Sequence, residues 1–181
     1  NGRAYIVHGD LRMDNMIFSQ DIKSRNVAAI LDWELATLGD TPLLDVAYNC
    51  MPYHLDPQDG CSITGFKGAS QRGIPSEEEY LQIYADHCVG QAAGMDPRPT
   101  HDYFLSVAFF KAAAILQGVY KRGLMGNASA PETSKFSQFA EVMGERGLEH
   151  LSKYVHDHSP QLVMQPPNVR LASVGAMAYD G

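Results

Sequence analysis

The chain has 181 residues, 45% of them hydrophobic, which is enough for one well-buried domain and short for two. Its formal charge of −7, with no dense Lys/Arg run, excludes the clustered positive surface that nucleic acid or an anionic membrane face requires. Cys50, Cys61 and Cys88 are widely spaced and form no CxxC pair, so neither a disulfide framework nor a zinc site is expected and a reducing compartment fits best.

Along the chain, Tyr5 to Val7, Met16 to Phe18 and Val27 to Leu31 are short, partly β-branched apolar runs separated by polar turns, which predicts three strands. Asn1 is followed almost at once by the first of them and opens no signal-peptide pattern, so the sequence reads as a piece of a longer protein. Asp40 or Thr41 can cap a helix with Pro42 at its first position, followed by Leu43, Leu44, Val46 and Ala47. Pro52 to Pro75 is rich in Gly, Pro, Asp and Ser and reads as a long irregular loop.

Ser76 with Glu79 three residues on is a capping box that opens a second helix, with Gly90 near its exit. Thr100 to Arg122 carries Phe104, Val107, Ala108, Lys111, Ala112, Ile115, Leu116 and Val119 at helical spacing and ends before Gly123. This is the expected central helix. Asn127 to Ala130 with Pro131 breaks the chain, and a further helix is expected up to about Val155. Beyond Ser159, three prolines and no sustained period predict a tail or linker. No apolar run approaches the roughly 20 residues needed to cross a bilayer, so a soluble chain is expected.

The chemistry concentrates in "VHGDLRMDNMIF", where His8, Asp10, Arg12, Asp14 and Asn15 sit between two apolar runs. Asp10 and Asn15 lie across one turn, and Asp32 ends the third predicted strand. Mg²⁺ takes hard oxygen ligands and usually only one or two protein carboxylates, with phosphate and water completing its shell. An Asn with an Asp from a neighbouring strand suits that demand, which points to Mg-nucleotide chemistry. Asp10, not needed as a ligand, can accept a hydroxyl proton and orient an attacking oxygen.

These residues carry a resemblance. "HGDLRMDN" and "ILDWE" resemble the catalytic loop and metal-binding hairpin of protein-kinase-like phosphotransferases. Gly9 after His8 resembles the small-molecule branch, the aminoglycoside phosphotransferase and choline kinase family. "AILDWELATLGDTPLLDVAYNC" and "GVYKRGLMGNAS" are most similar to the phosphotransferase domain fused to acyl-CoA dehydrogenases, so the similarity spans most of residues 4 to 156. The resemblance implies an α+β, mostly α fold: the C-terminal lobe of a kinase-like phosphotransferase, with a small β-hairpin catalytic region followed by a helical bundle. It places that lobe at residues 1–158 and the tail or linker at 159–181.

It further implies that ATP and Mg²⁺ are the cofactors, that Asp10 is the catalytic base, and that Asn15 and Asp32 are the Mg²⁺ ligands and so hold the nucleotide. His8 would hold the loop and Asp45 would buttress it from the start of a helix. Arg12 would stabilise charge on the transferred phosphate, against the alternative of a solvated ion pair. Glu34 would reach the metal or substrate, against the alternative of no role. Trp33 is expected as a packed aromatic beside the site, and His54 and the other remaining histidines carry no metal spacing, with His54 expected on a loop surface.

The implied partner is a small hydroxylated acceptor: a cationic one such as an aminoglycoside or choline, or, from the dehydrogenase-fused subgroup, a hydroxyacyl group carried as a CoA thioester. No glycine-rich phosphate loop precedes His8, so the implied N-terminal lobe lies outside these residues and the piece alone is expected to be inactive. A cytoplasmic location is implied, or a peroxisomal or mitochondrial one if a dehydrogenase is fused. The competing classes are a catalytically silent nucleotide-binding or scaffolding module of a larger protein, a protein kinase, disfavoured by the HGD form and the lack of an APE-like segment, and a metal hydrolase using His8 and Asp10, which leaves Asn15, Asp32 and Asp45 without a task.

Overall fold

The computed structural model describes residues 4–21, 26–57, 65–67, 73–88, 95–126 and 133–159. The expected exit at Gly90, the break around Pro131 and the tail beyond Ser159 lie outside them.

The three predicted strands form as β1 (Tyr5–Val7), β2 (Met16–Phe18) and β3 (Val27–Ile30), the last ending one residue earlier than expected. A fourth, β4 (Thr37–Gly39), was not foreseen. The topology explains its existence. β2 pairs antiparallel with β3, Met16 opposite Ile30, while β1 pairs antiparallel with β4, Tyr5 opposite Gly39 and Val7 opposite Thr37. One ribbon is thus nested inside the other, so the connections at residues 8–15 and 31–36 lie side by side. Each contains a short 3₁₀ turn, Met13–Asn15 and Trp33–Leu35.

Helix α1 (Leu43–Cys50) follows directly. Pro42 occupies the capping slot instead of the first helical position, and Thr41 Oγ1 accepts the Leu43 N–H at 3.2 Å. The expected irregular loop starts with order: Met51–His54 is a 3₁₀ turn, Leu55 is fully buried, and the Phe66 N–H reaches the Pro52 carbonyl at 2.9 Å. Helix α2 (Glu77–Cys88) opens on the predicted capping box, with the Ser76 N–H donating to Glu79 Oε2 at 2.7 Å and the Glu79 N–H donating to Ser76 Oγ at 3.2 Å.

Helix α3 (His101–Leu124) runs through Gly123, and α4 (Thr133–His158) extends three residues past the expected end. By length and composition α3 with its leading turn is apolar enough to cross a membrane, contrary to the sequence expectation. Its setting gives another reason for that composition. Leu105, Phe109, Ala112 and Leu116 bury one stripe in a core shared with Leu43, Val46, Ala47 and Met51 around α1 and with Ala140 and Met143 of α4. Gly147 permits the close approach of α4, since a Cβ there would stand 3.3 Å from the Ser106 carbonyl. One turn further toward the start of α3, Asp102 receives Lys153 Nζ at 2.7 Å and His150 Nδ1 at 2.8 Å, which fixes α3 and α4 antiparallel.

His54 is not on a loop surface. Its Nε2 lies 2.7 Å from Glu77 Oε1, and His101 Nε2 lies 2.8 Å from the same oxygen, tying the turn after α1 to the first residues of α2 and α3. Burial opposes the charge on Glu77, but the hydrogen bonds from His101 and His54 prevail and bring its pKa from 4.5 down to about 2. A carboxylate depressed in the folded state stabilises the fold above its ordinary pKa and loses that contribution as pH falls through the folded value. The urea midpoint gap between wild type and Glu77→Gln is therefore expected to be full above pH 4.5 and to close as pH falls toward about 2. A gap that stays constant across that window contradicts the assignment.

Candidate active site

The site is assembled at the join between the nested ribbons and α1. Val7 is buried at the end of β1, and the next residue, His8, is 2% exposed. Asp45, in the first turn of α1 and also buried, accepts the His8 N–H through Oδ2 at 2.6 Å and the Gly9 N–H through Oδ1 at 2.8 Å. One carboxylate thus satisfies two successive buried backbone donors, the charge-assisted form of an otherwise costly burial.

His8 extends the frame to the second loop. Its Nε2 lies 2.8 Å from the Leu31 carbonyl, and its Nδ1 accepts the Asp10 N–H at 3.2 Å. A carbonyl only accepts, so the ring hydrogen is on Nε2. Trp33 covers this ring at 4.6 Å between centroids and donates Nε1–H to the Ile30 carbonyl at 2.7 Å, yet it is 48% exposed, less packed than expected. Gly9 adopts φ +82°, and a Cβ there would come within 2.8 Å of the Leu35 carbonyl, so the two loops approach at a point only glycine fills.

Asn15 and Asp10 are coupled. Asn15 Nδ2 donates to the Asp10 carbonyl at 2.9 Å and to Asp10 Oδ2 at 3.0 Å. Both amide hydrogens are committed, which leaves Asn15 Oδ1 as the free ligand atom. The Leu31 N–H donates to the Asn15 carbonyl at 2.8 Å, so Asp32 follows immediately beside Asn15 across the ladder. Asp32 is exposed and holds φ 66°, ψ 56°, the sole positive-φ residue other than glycine among those described. Such a backbone is tolerated by Asp at a cost, and such costs concentrate at functional positions.

The remaining candidates are placed differently. Arg12 lies between two carboxylates, its Nε 3.9 Å from Asp10 Oδ2 and 3.7 Å from Asp14 Oδ2, with that nitrogen buried and making no hydrogen bond among the described residues. Glu34 is exposed and makes no hydrogen bond or ion pair among the described residues. A residue the sequence reading counted only as a helix position also belongs here. Lys111 of α3 stands 5.1 Å over the Tyr48 ring; burial lowers its pKa, while the charges of Asp10 and Asp45 pull it back up. A lone charge inside "SVAFFKAAAIL" was the available signal.

Residues 1–80 match the family model described as Phosphotransferase enzyme family. The chain is 40% identical over 153 residues to acyl-CoA dehydrogenase family member 10 of Mus musculus, covering 83% of this chain and 14% of that protein. It is 38% identical over 148 residues to acyl-CoA dehydrogenase family member 11 of Homo sapiens, covering 82% of this chain and 18% of that protein. A crystal structure of a candidate aminoglycoside phosphotransferase from Ralstonia eutropha JMP134 superposes with a TM-score of 0.67 at 35% identity, covering 83% of this chain and 43% of that one. The chain therefore spans only a fraction of these relatives.

Two substitutions test the frame. Asp45→Ala leaves two buried N–H groups without an acceptor and is expected to cost about 2–5 kcal/mol, read from urea unfolding. Gly9→Ala combines a positive φ with the Leu35 contact and is expected to cost about 1–3 kcal/mol. Wild-type stability in either variant contradicts the geometry.

Proposed function

We propose, from the match of residues 1–80 to the model described as Phosphotransferase enzyme family, that the complete protein transfers the terminal phosphoryl group of Mg-ATP to a hydroxyl of a small molecule. The observation that carries the reading is the coupled pair Asp10 and Asn15, held by the Asp45 and His8 frame so that one oxygen of each remains available.

Asp10 spends Oδ2 on Asn15 and keeps Oδ1 for the acceptor hydroxyl, whose proton it takes as the alcohol oxygen bonds to the terminal phosphorus and the bond to the departing ADP oxygen breaks. The residues fit Mg²⁺: Asn15 Oδ1 and the exposed Asp32 carboxylate are hard oxygen donors with no hydrogen bond among the described residues, on segments that the Leu31 to Asn15 backbone bond holds together. When bound, the metal neutralises charge on the phosphate oxygens. Arg12, between Asp10 and Asp14, and Lys111 of α3, whose charge the Asp10 and Asp45 carboxylates favour, would supply positive charge where the transferred group carries negative charge.

Support for the acceptor class comes from the relatives. They are acyl-CoA dehydrogenase family proteins several times longer than this chain, which fits a fused arrangement and a hydroxyacyl acceptor carried as a CoA thioester. The nucleotide also needs a second wall. Ile6 and Leu38, cross-strand neighbours on the ribbon, are 67% and 71% exposed and offer apolar surface to a further lobe.

The test uses the complete protein with Mg-ATP and a panel of hydroxyacyl-CoA thioesters and simple alcohols, with phosphorylated product read by mass spectrometry. Transfer is expected, and Asp10→Asn is expected to lower kcat by about 10²–10⁴ while leaving nucleotide binding intact. Undiminished turnover in that variant removes Asp10 as base. Mg-ATP binding with no transfer to any acceptor contradicts the enzyme reading and leaves a nucleotide-binding module.

A further inference from the structure

Phosphoryl transfer uses the face where the ribbons meet α1, yet a second group of chemistry-bearing side chains converges near the opposite end of that helix. Cys50 is the last residue of α1, Glu77 the first of α2 and His101 the first of α3. Their thiol sulfur, a carboxylate oxygen and an imidazole nitrogen all lie within 4.8 Å of one another. We propose that Cys50, Glu77 and His101 form a binding site for a divalent ion of the zinc class, joining the ends of α1, α2 and α3.

The donor set decides the class of ion. Thiolate and imidazole are borderline-soft ligands that favour Zn²⁺ and its neighbours over Mg²⁺, which requires oxygen. Zinc bonds of about 2.0–2.3 Å in a tetrahedron put ligand atoms roughly 3.3–3.8 Å apart. The three atoms lie within 4.8 Å of one another, so the thiol needs to close by about 1.5 Å at most, while His101 Nε2 and Glu77 Oε1, now 2.8 Å apart, part by about half an ångström to admit the ion. Three protein donors leave a fourth position for water or another ligand.

His54 completes the arrangement as a positioning residue. Its Nε2 lies 2.7 Å from the same Glu77 oxygen that faces His101, which fixes the carboxylate's orientation. Access also fits. Cys50 is fully buried and the His101 side chain is 11% exposed, while Glu77 and His54 at 24% and 22% form the open side through which an ion enters.

Burial, and secondarily the Glu77 charge, push the Cys50 thiol well above its ordinary pKa. Metal binding must displace that proton, so affinity rises with pH and each ion bound releases about one proton from the thiol. Asp45 and Cys50 occupy the two ends of α1, so a bound ion anchors the far end of the helix whose first turn grips the His8 loop. This inference does not rest on the phosphotransfer reading.

The test is an optical titration of the metal-free full chain with Co²⁺. The expected result is one equivalent bound with a near-ultraviolet thiolate-to-cobalt charge-transfer band, displaced by one equivalent of Zn²⁺ and insensitive to excess Mg²⁺. The band should vanish in Cys50→Ser, persist in the Cys61→Ser/Cys88→Ser double variant, and require about 10–100-fold more Co²⁺ in His54→Ala. Far-ultraviolet circular dichroism checks each variant's fold, and absence of the band in wild type is decisive without any variant. Absence of a thiolate band in wild type, its survival in Cys50→Ser, or displacement by Mg²⁺ overturns the proposal and leaves the cluster a hydrogen-bonded knot.

Discussion

The site depends on one carboxylate. Asp45 accepts from the N–H groups of both His8 and Gly9, and through them it settles where the segment carrying Asp10 and Asn15 can lie. Two adjacent backbone donors are buried at a sharp turn and would otherwise cost on the order of 1–3 kcal/mol each. Because Asp45 stands on a helix packed by Leu43, Val46 and Ala47 against α3, the position of the loop is inherited from the hydrophobic core. The core thus reaches the chemistry through a single side chain, and the precision of the site follows from packing some distance away.

The nested ribbon supplies the second half of the constraint. With β2–β3 inside β1–β4, neither loop can shift without breaking a ladder, and His8, Leu31, Asn15 and Gly9 stitch the loops to each other. This arrangement affords Asp32 its unusual backbone: the strained residue sits where both neighbours are already fixed by the ladder and the Trp33–Leu35 turn. Short strands suffice because His8, next after β1, binds the Leu31 carbonyl and Trp33 binds the Ile30 carbonyl at the end of β3.

Much of this was legible in the sequence. Alternating apolar runs gave β1 to β3, and the Ser76 and Glu79 pair gave the start of α2 because capping is a local interaction. The types and spacing of Asp10, Asn15 and Asp32 singled out the two loops that the structure sets side by side, and Asp45 came from the family resemblance. What escaped was decided by partners distant in the chain. β4 is a three-residue strand made by pairing with β1 more than thirty residues earlier, and nothing in Thr37–Gly39 itself demands extension. His54 looked like loop surface because its neighbours are polar, yet Glu77, remote in sequence, draws it in. Lys111 read as one step of a helical stripe, and only the packing of α3 on α1 turns its charge toward Asp10 and Asp45.

If one carboxylate sets the loop, its effect is visible in the backbone amides it holds. Amide hydrogen exchange by NMR on the full chain should find the His8 and Gly9 N–H groups protected nearly as well as those in the centre of α3, and Asp45→Asn should release those two while leaving α3 and α4 protected. Exchange of His8 and Gly9 in the wild-type chain as fast as in an exposed loop would contradict the account.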